Sequence, residues 1–317
     1  MQITLYAGSA VPALAQQVAR LLGLSLGDSS LEHFPDGEVH VRLKDSVRGH
    51  DVYIIQSTCP PVNESIMELL VLLDGCRRAA AKRITAVIPY YGYARQEKKS
   101  QGREPITARL VADLLTASGA DRVLTLDIHA PAIQGFFSIE MDNLTATPLL
   151  VDYLCRFPRD NLVVVAPDAG RVKVAEKFAR ALGLPMGVLV KQRLSGEEVE
   201  VRQVIGEVAG RRAIIVDDII STGGTIERAV EAVTRAGAKP GAIVVAVHPL
   251  LVGEAVTRLN RTSITDLVVT DSVPLTREKL TALNARVHVQ SIAGLLAETI
   301  RSLSEDRPIS PLYGPTS

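Results

Sequence analysis

The amino-acid sequence predicts an α/β fold made of two similar domains, each a mainly parallel sheet flanked by helices. Short runs rich in β-branched residues alternate with longer stretches of helical periodicity. Runs that are apolar throughout and alternate with helices are typical of parallel sheets covered on both faces. The predicted strands are 52–55, 84–88, 123–126, 162–165, 213–216, 243–247 and 267–269. The predicted helices are 11–22, 65–80, 106–117, 172–182, 225–236 and 253–259.

An internal repeat predicts that the two domains share one architecture. The repeated segments, about 160 residues apart, are ARLLGL at 19–24 with ARALGL at 179–184, VHVR at 39–42 with VEVR at 199–202, and Gly49 with Gly210. Several matches in the same order, at nearly one offset, indicate a duplication. We place the domains at 1–146 and 147–299, and we expect the C-terminal tail, 300–317, to pack back on the first domain.

The composition indicates that any anion bound here is held by local geometry rather than by net charge. Among 317 residues, Lys plus Arg and Asp plus Glu number 35 each, so no net field attracts nucleic acid or an anionic membrane. Cys59, Cys76 and Cys155 are odd in number and widely spaced, which predicts neither a disulfide framework nor a zinc site. The N-terminus lacks the pattern of a signal peptide, and no run is long and apolar enough to span a bilayer. We therefore expect a cytoplasmic protein.

One segment combines two acids with a glycine-rich helix start, and we call it the phosphate loop. It reads Asp217, Asp218, Ile219, Ile220, Ser221, Thr222, Gly223, Gly224 and Thr225. The segment follows an apolar strand and opens a helix, where backbone N–H groups bind anions. Its glycines allow the backbone to approach a phosphate closely, and its hydroxyls can donate hydrogen bonds or cap the helix. Because the carboxylates suit sugar hydroxyls or a magnesium ion, the loop predicts a sugar-phosphate site.

The corresponding place in the first half lacks this chemistry. It reads QSTCPP at 56–61, without the acid pair and without the glycines. We therefore expect the second domain to hold the sugar phosphate.

Four further segments carry charged or aromatic residues at the ends of predicted elements. They are FPDGE at 34–38, a polar and basic stretch at 90–106, LDIH at 126–129 and KQR at 191–193. Taken singly, the first is a turn, the second a solvated loop and the third a strand end with a structural histidine.

Together these segments resemble one family along nearly the whole chain. The phosphate loop resembles the ribose-phosphate loop that phosphoribosyltransferases share with ribose-phosphate pyrophosphokinases, also called PRPP synthetases. The segment YARQ at 93–96 favours the pyrophosphokinases, and further matches lie at 45–49, 56–60, 133–137, 142–144 and 166–170. The resemblance implies two phosphoribosyltransferase-like domains and transfer of the diphosphoryl group of MgATP to the 1-hydroxyl of ribose 5-phosphate. It also implies Mg²⁺ and a homo-oligomer, a hexamer built from dimers.

The resemblance also implies roles for individual residues. For the nucleotide they are Phe34 and Arg95 on the adenine, Asp36 and Glu38 from a neighbouring subunit, Gln96, Arg103 on the triphosphate and His129. For magnesium they are His129 and Asp168, and for catalysis Lys191 and Arg193 on a mobile loop. For ribose 5-phosphate they are Asp217, Asp218, Ser221, Thr222, Gly223, Gly224 and Thr225. For allosteric regulation they are Ser46, Arg48, Asp142, Asn143 and Ser310.

Two departures from the family pattern bear on regulation and on the sugar site. Ser221 stands where the commonest form of the loop has a third acid, and ribose binding should survive that change. Pro308 stands where the C-terminal segment of the allosteric site has a serine, so we expect weakened phosphate activation and ADP inhibition. Two alternatives stay open: a phosphoribosyltransferase that uses PRPP, and a non-catalytic regulatory subunit associated with a synthetase.

Overall fold

The first of two compact units contains a five-stranded sheet and a separate hairpin. The computed structural model describes residues 2–194 and 198–310, and of 191–194 and 198–202 it describes the backbone. This unit comprises the described residues of Met1–Thr145, Ser272–Pro274 and Ser291–Ser317. Its strands are β1 (Ile3–Ala7), β2 (Ser29–His33), β3 (Val39–Leu43), β4 (Asp51–Ile55), β5 (Arg83–Ile88), β6 (Arg122–Leu126) and β7 (Glu140–Leu144). Its first helices are α1 (Pro12–Leu22), α2 (Val62–Arg78) and α3 (Thr107–Ser118). The sheet order is β1-β4-β5-β6-β7, all parallel, while β2 and β3 form their own antiparallel pair.

The second unit contains a seven-stranded sheet and comprises Ala146–Asp271 and Leu275–Gln290. Its strands are β8 (Leu162–Ala166), β9 (Met186–Leu194), β10 (Glu198–Ile205), β11 (Arg212–Ile220), β12 (Lys239–Pro249), β13 (Ile264–Thr270) and β14 (Arg286–Gln290). Its helices are α4 (Thr147–Leu154), α5 (Val172–Leu182), α6 (Gly224–Arg235), α7 (Ala255–Asn260) and α8 (Arg277–Ala282). The order is β10-β9-β8-β11-β12-β13-β14, with every pair parallel except β9 and β10.

The two units repeat one connectivity, so the predicted fold class is confirmed. In both, the first and fourth strands lie side by side, followed by the fifth, sixth and seventh. The repeated ARLLGL and ARALGL segments end α1 and α5 in the same way. Gly23 and Gly183 have φ of 72° and 66°, and the next residue donates its N–H back to Ala19 or Ala179 at 2.9 Å. This left-handed C-cap favours glycine, which explains why the segment recurs.

The copies differ in their second and third strands. In the second unit β9 joins the sheet edge at β8, whereas in the first the β2–β3 hairpin is separate and only an isolated bridge links Leu5 to Leu26. The predicted strands all fall within observed strands. The hairpin was not anticipated, because β2 is mostly polar and neither strand contains a buried residue.

The last helix, α9 (Ala293–Ser304), belongs to the first unit and packs on α1. Arg301 donates to the Leu21 carbonyl at 3.0 Å, and Ser291 donates to the Gln17 side chain at 2.8 Å. The sequence analysis ended the second domain at residue 299, which lies inside this helix. The second unit instead ends at Gln290. The buried face of α9, including Leu296 and Ile300, needs an apolar partner along its whole length, so the helix joins the first unit as one element.

A cluster of charged side chains connects the amino ends of β11, β13 and β14 in the second unit. Asp266 is buried and accepts hydrogen bonds from Arg212 at 2.7 Å and from Arg286 at 3.3 Å. His288 Nε2 lies 3.0 Å from the same carboxylate, and its Nδ1 lies 2.8 Å from the Tyr153 hydroxyl. Burial raises the pKa of Asp266, but its hydrogen bonds outweigh burial and lower it to about 2. The cluster therefore holds an ionised carboxylate at neutral pH.

Within the described residues, no helix is both long enough and apolar enough to cross a membrane.

Candidate active site

The second unit has a crevice between the carboxyl ends of β8 and β11. From β8 the chain passes to β9 on one side, and β11 later adds on the other side, so the strand order reverses here. Ligands of open α/β sheets bind at such a switch point. Asp168 and Arg171 follow β8, and the phosphate loop begins in the last residues of β11 and continues into α6. The topology thus brings together two predicted groups that lie about fifty residues apart in the sequence.

Asp217 and Asp218 lie near the carboxyl end of β11 as a buried acid pair, 8% and 7% exposed. Asp218 donates its N–H to the Asp217 carboxylate at 2.9 Å, and Ile219 donates to Asp218 at 2.9 Å. Arg171 lies 2.9 Å from Asp218 and 3.6 Å from Asp217. Burial and then the adjacent Asp218 raise the pKa of Asp217 well above its usual value, and Arg171 opposes that rise. The pair is ready to accept hydrogen bonds from two neighbouring hydroxyls.

Gly223 forms the turn between β11 and α6. Its φ is 79°, a left-handed conformation that other residues rarely adopt, and it is the N-cap of α6. The sequence predicted that a hydroxyl could cap this helix, but the N-cap is a glycine and no side chain caps α6. The first N–H groups of α6 therefore have no side-chain acceptor at the N-cap, as an anion site requires.

A second segment, residues 251–255, hydrogen-bonds to the phosphate loop and packs against it. Leu251 and Val252 donate their N–H groups to the carbonyls of Ile220 and Ser221, both at 3.0 Å. A side chain at position 223 would meet the backbone of Ala255, at the start of α7, at 3.2 Å. The packing of α7 against this turn explains why the position is a glycine.

In the first unit, side chains fill the equivalent crevice. Gln56 follows β4, where Asp217 stands in the second copy, and its amide donates to the buried Glu68 at 2.7 Å. Ser9, after β1, donates its hydroxyl to Glu68 at 2.7 Å, and Ala10 donates to the Gln56 amide oxygen at 3.0 Å. An added Cβ on Gly8 would lie 2.3 Å from Gln56. The crevice of the first copy is therefore closed.

The predicted nucleotide residues of the first unit fall in two places. Phe34, Asp36 and Glu38 form the tip of the β2–β3 hairpin, where Phe34 is 49% exposed and Asp36 accepts the Glu38 N–H at 3.1 Å. A cleft of about 540 Å³ includes Asp36 and Glu38 in its lining. Exposed side chains at a hairpin tip suit contact with another molecule.

Arg95, Gln96 and Arg103 lie on the loop between β5 and α3. Arg95 and Arg103 are exposed, and Arg103 has a φ of 68°. Gln96 accepts the Thr107 hydroxyl on its amide oxygen at 2.6 Å and the Ala108 N–H on its carbonyl at 3.3 Å. Gln96 therefore also anchors the start of α3.

His129 lies just beyond β6, on a segment that Asn143 supports. The Asn143 amide oxygen accepts the Ile128 N–H at 2.9 Å, while Asp142 pairs with Arg122 at 2.5 Å. These two predicted regulatory residues thus have partners within the unit. Ser46, Arg48 and Ser310 are exposed.

Lys191 and Arg193 lie in β9, with their backbones opposite Val201 and Val199 of β10. Their side chains fall outside the described part of the chain. His129 and Asp168, the predicted magnesium residues, belong to the first and second units respectively. Across residues 2–194 and 198–310, no group of three His, Cys, Asp or Glu side chains forms a metal site.

Arg171 was not identified from the sequence. The matched segment 166–170 stops one residue before it. A cation in the turn after β8 was the available signal, but only the folded structure brings it to the acids of β11.

The duplicated fold and the acid pair with its phosphate loop define the class: an α/β protein of phosphoribosyltransferase type. The family model for the N-terminal domain of ribose phosphate pyrophosphokinase matches residues 3–119, and the phosphoribosyl transferase domain model matches 146–262. The ribose-phosphate pyrophosphokinase of Caldanaerobacter subterraneus is 46% identical over 98% of both chains, and that of Pasteurella multocida is 46% identical over 98% of this chain and 99% of its own. The crystal structure of phosphoribosylpyrophosphate synthetase from Mycobacterium smegmatis has a TM-score of 0.90 and 43% identity, covering 96% of this chain and all of that one. The chain belongs to the ribose-phosphate pyrophosphokinase family.

Proposed function

We propose that this protein transfers the diphosphoryl group of MgATP to the 1-hydroxyl of ribose 5-phosphate, giving 5-phospho-α-D-ribose 1-diphosphate and AMP. The observation that carries the proposal is the buried acid pair beside an uncapped helix N-terminus, at the switch point of the second unit. It joins two chemistries that a sugar phosphate needs: acceptors for hydroxyls and donors for a phosphate.

The second unit would bind ribose 5-phosphate through the phosphate loop. The 5-phosphate would accept from backbone N–H groups at Gly223, Gly224 and Thr225 and from the Ser221 and Thr222 hydroxyls. Asp217 and Asp218 would accept from the 2- and 3-hydroxyls. Their closeness at the end of β11 supports this role, because neighbouring carboxylates can receive two neighbouring hydroxyls.

The nucleotide would be held by residues of the first unit. Phe34 and Arg95 would stack on the adenine, and Gln96, Arg103 and His129 would contact the rest of the nucleotide. Asp36 and Glu38 would serve the site of a neighbouring subunit. Their exposure at the hairpin tip supports that arrangement, which requires a homo-oligomer, in our proposal a hexamer built from dimers.

The transfer needs positioning and charge neutralisation rather than a protein nucleophile. The anomeric oxygen of the sugar would attack the β-phosphorus and lose its proton. The bond from that phosphorus to the bridging oxygen would break, and AMP would leave with this oxygen. Lys191 and Arg193 would neutralise the charge that develops on the diphosphoryl group and on AMP. His129 and Asp168 would serve the Mg²⁺ that enters as MgATP, which would supply charge neutralisation for the phosphates.

We expect the allosteric site of this chain to depart from the family pattern. Ser46, Arg48, Asp142, Asn143 and Ser310 would form the allosteric site, with Pro308 replacing one hydroxyl. We expect phosphate activation and ADP inhibition to be weak. A tenfold rise in activity with phosphate, together with ADP inhibition that does not compete with ATP, would contradict this expectation. We also expect a cytoplasmic location.

The deciding experiment measures AMP release from ATP and ribose 5-phosphate with no nucleobase present. AMP formed by the purified protein alone, at a rate that depends on ribose 5-phosphate, supports the proposal. It argues against both a phosphoribosyltransferase and a regulatory subunit. Failure to form AMP, with intact binding of ribose 5-phosphate, would refute the proposed reaction.

A further inference from the structure

Arg171 occupies an unusual place for a surface-loop residue. It ends the short 3₁₀ turn Ala169–Arg171 after β8, and its N–H donates to the Asp168 carbonyl at 3.2 Å. Its side chain is only 14% exposed and reaches across the crevice to β11. One guanidinium therefore connects both sides of the switch point.

Negative charge on the acid pair is unfavourable without a nearby cation. Asp217 and Asp218 are adjacent and buried, so each disfavours ionisation of the other in a poorly solvated place. Arg171 lies within ion-pair distance of both carboxylates, 3.6 Å from Asp217 and 2.9 Å from Asp218. A planar guanidinium can donate to two acceptors at once, which also fixes their orientation.

The two copies of the fold differ at this position as they do at the acids. Val11 stands at the place of Arg171 and begins the corresponding helical segment of the first unit. There Gln56, a neutral residue, replaces Asp217. The cation and the acid pair thus occur together in the copy that has the phosphate loop.

We propose that Arg171 is a positioning residue for ribose 5-phosphate, which offsets the repulsion between Asp217 and Asp218 and orients both to accept from the sugar hydroxyls. This inference rests on the proposed function and adds to it a residue that acts on the substrate through the acids. Removing the cation would let one of the two carboxyl groups turn away from the sugar. The pair would then lose an acceptor for the sugar, while the nucleotide contacts would be unchanged.

The test compares Arg171→Gln, Arg171→Lys and Arg180→Gln. Arg180 lies on α5, the helix that follows Arg171, is 66% exposed and pairs with Glu176 at 3.2 Å, so its change is a matched loss of charge away from the acids. Binding of ribose 5-phosphate by calorimetry is measured with the KM for each substrate. Since a charge-assisted contact is worth a factor of roughly 10 to 100, Arg171→Gln should raise the ribose 5-phosphate Kd and KM about that much. The KM for ATP should stay within about twofold of the parent, because the change removes an interaction with one substrate.

Arg171→Lys should recover most of the lost affinity, since it restores the charge, and Arg180→Gln should resemble the parent protein. Unchanged binding of ribose 5-phosphate in Arg171→Gln would overturn the inference. So would equal rises in both KM values, or a lysine variant as weak as the glutamine variant, because either indicates a structural role. If the parent formed no AMP, the proposed reaction would fail, while the calorimetric comparison would still test Arg171.

Discussion

Alanine at Gly223 should damage the phosphate loop far more than alanine at Gly224. Gly223 has a φ of 79°, and the left-handed region costs other residues roughly 1–2 kcal/mol. The new Cβ would also meet Ala255 backbone atoms at 3.2 and 3.3 Å, which a side-chain rotation cannot relieve. We therefore expect Gly223→Ala to lower the free energy of unfolding by about 2 kcal/mol.

Gly224 provides the comparison because its added Cβ meets a flexible group. The nearest atom is Arg258 Nη1 at 2.8 Å, at the end of a side chain that can move. Gly224 is the first residue of α6, where alanine is a better helix former than glycine by up to about 1 kcal/mol. The two effects oppose each other, and we expect a net change below about 1 kcal/mol.

Denaturant unfolding of both variants measures the difference directly, and the KM for ribose 5-phosphate reports the loop itself. Gly223→Ala should raise that KM by about tenfold, because rotation of the peptide group at this position would remove roughly one hydrogen bond to the phosphate. Equal stabilities and equal KM values in the two variants would refute the assignment of strain to Gly223.

Three other predictions concern stability, loop support and the nucleotide. Asp266→Asn should lower the free energy of unfolding by about 2 kcal/mol at pH 7. Because the folded pKa of Asp266 is lowered to about 2, this contribution is present above about pH 4 and disappears as the pH falls towards 2. The stabilities of parent and variant should therefore converge in acid denaturation. Asn143→Ala removes the acceptor of the Ile128 N–H. It should lower kcat by about threefold or more with a smaller effect on the free energy of unfolding, as steady-state and unfolding measurements would reveal. Phe34→Ala should raise the KM for ATP about tenfold without changing the unfolding midpoint, since its ring is half exposed; an unchanged KM would remove Phe34 from the nucleotide site.

The fold was largely predictable because its strongest signals are local and repeated. The apolar runs that became β4, β5, β6, β8, β11, β12 and β13 carry their own evidence of burial. Gly23 and Gly183 mark two helix ends by the same left-handed turn. The hairpin β2–β3 was missed although β3 alternates apolar and polar residues, because both strands are short and β2 is mostly polar. The place of α9 depends on its contact with α1, which no local pattern records.

The site was predictable only where its residues are contiguous. The acids and the helix start after β11 follow one another in sequence, so their chemistry was visible there. Arg171 was missed because its contact with Asp218 depends on the pairing of β8 with β11. The support that Asn143 gives to the segment before His129 likewise depends on the pairing of β6 with β7.

The filled crevice of the first unit has a consequence for stoichiometry. A duplicated fold could bind two sugar phosphates per chain, one at each switch point. Gln56 and Ser9 are instead hydrogen-bonded to the buried Glu68, so entry of a ligand would break a satisfied network and expose a buried carboxylate to an anion. Titration of ribose 5-phosphate should therefore saturate at one equivalent per chain, half of what the symmetry of the duplication would allow.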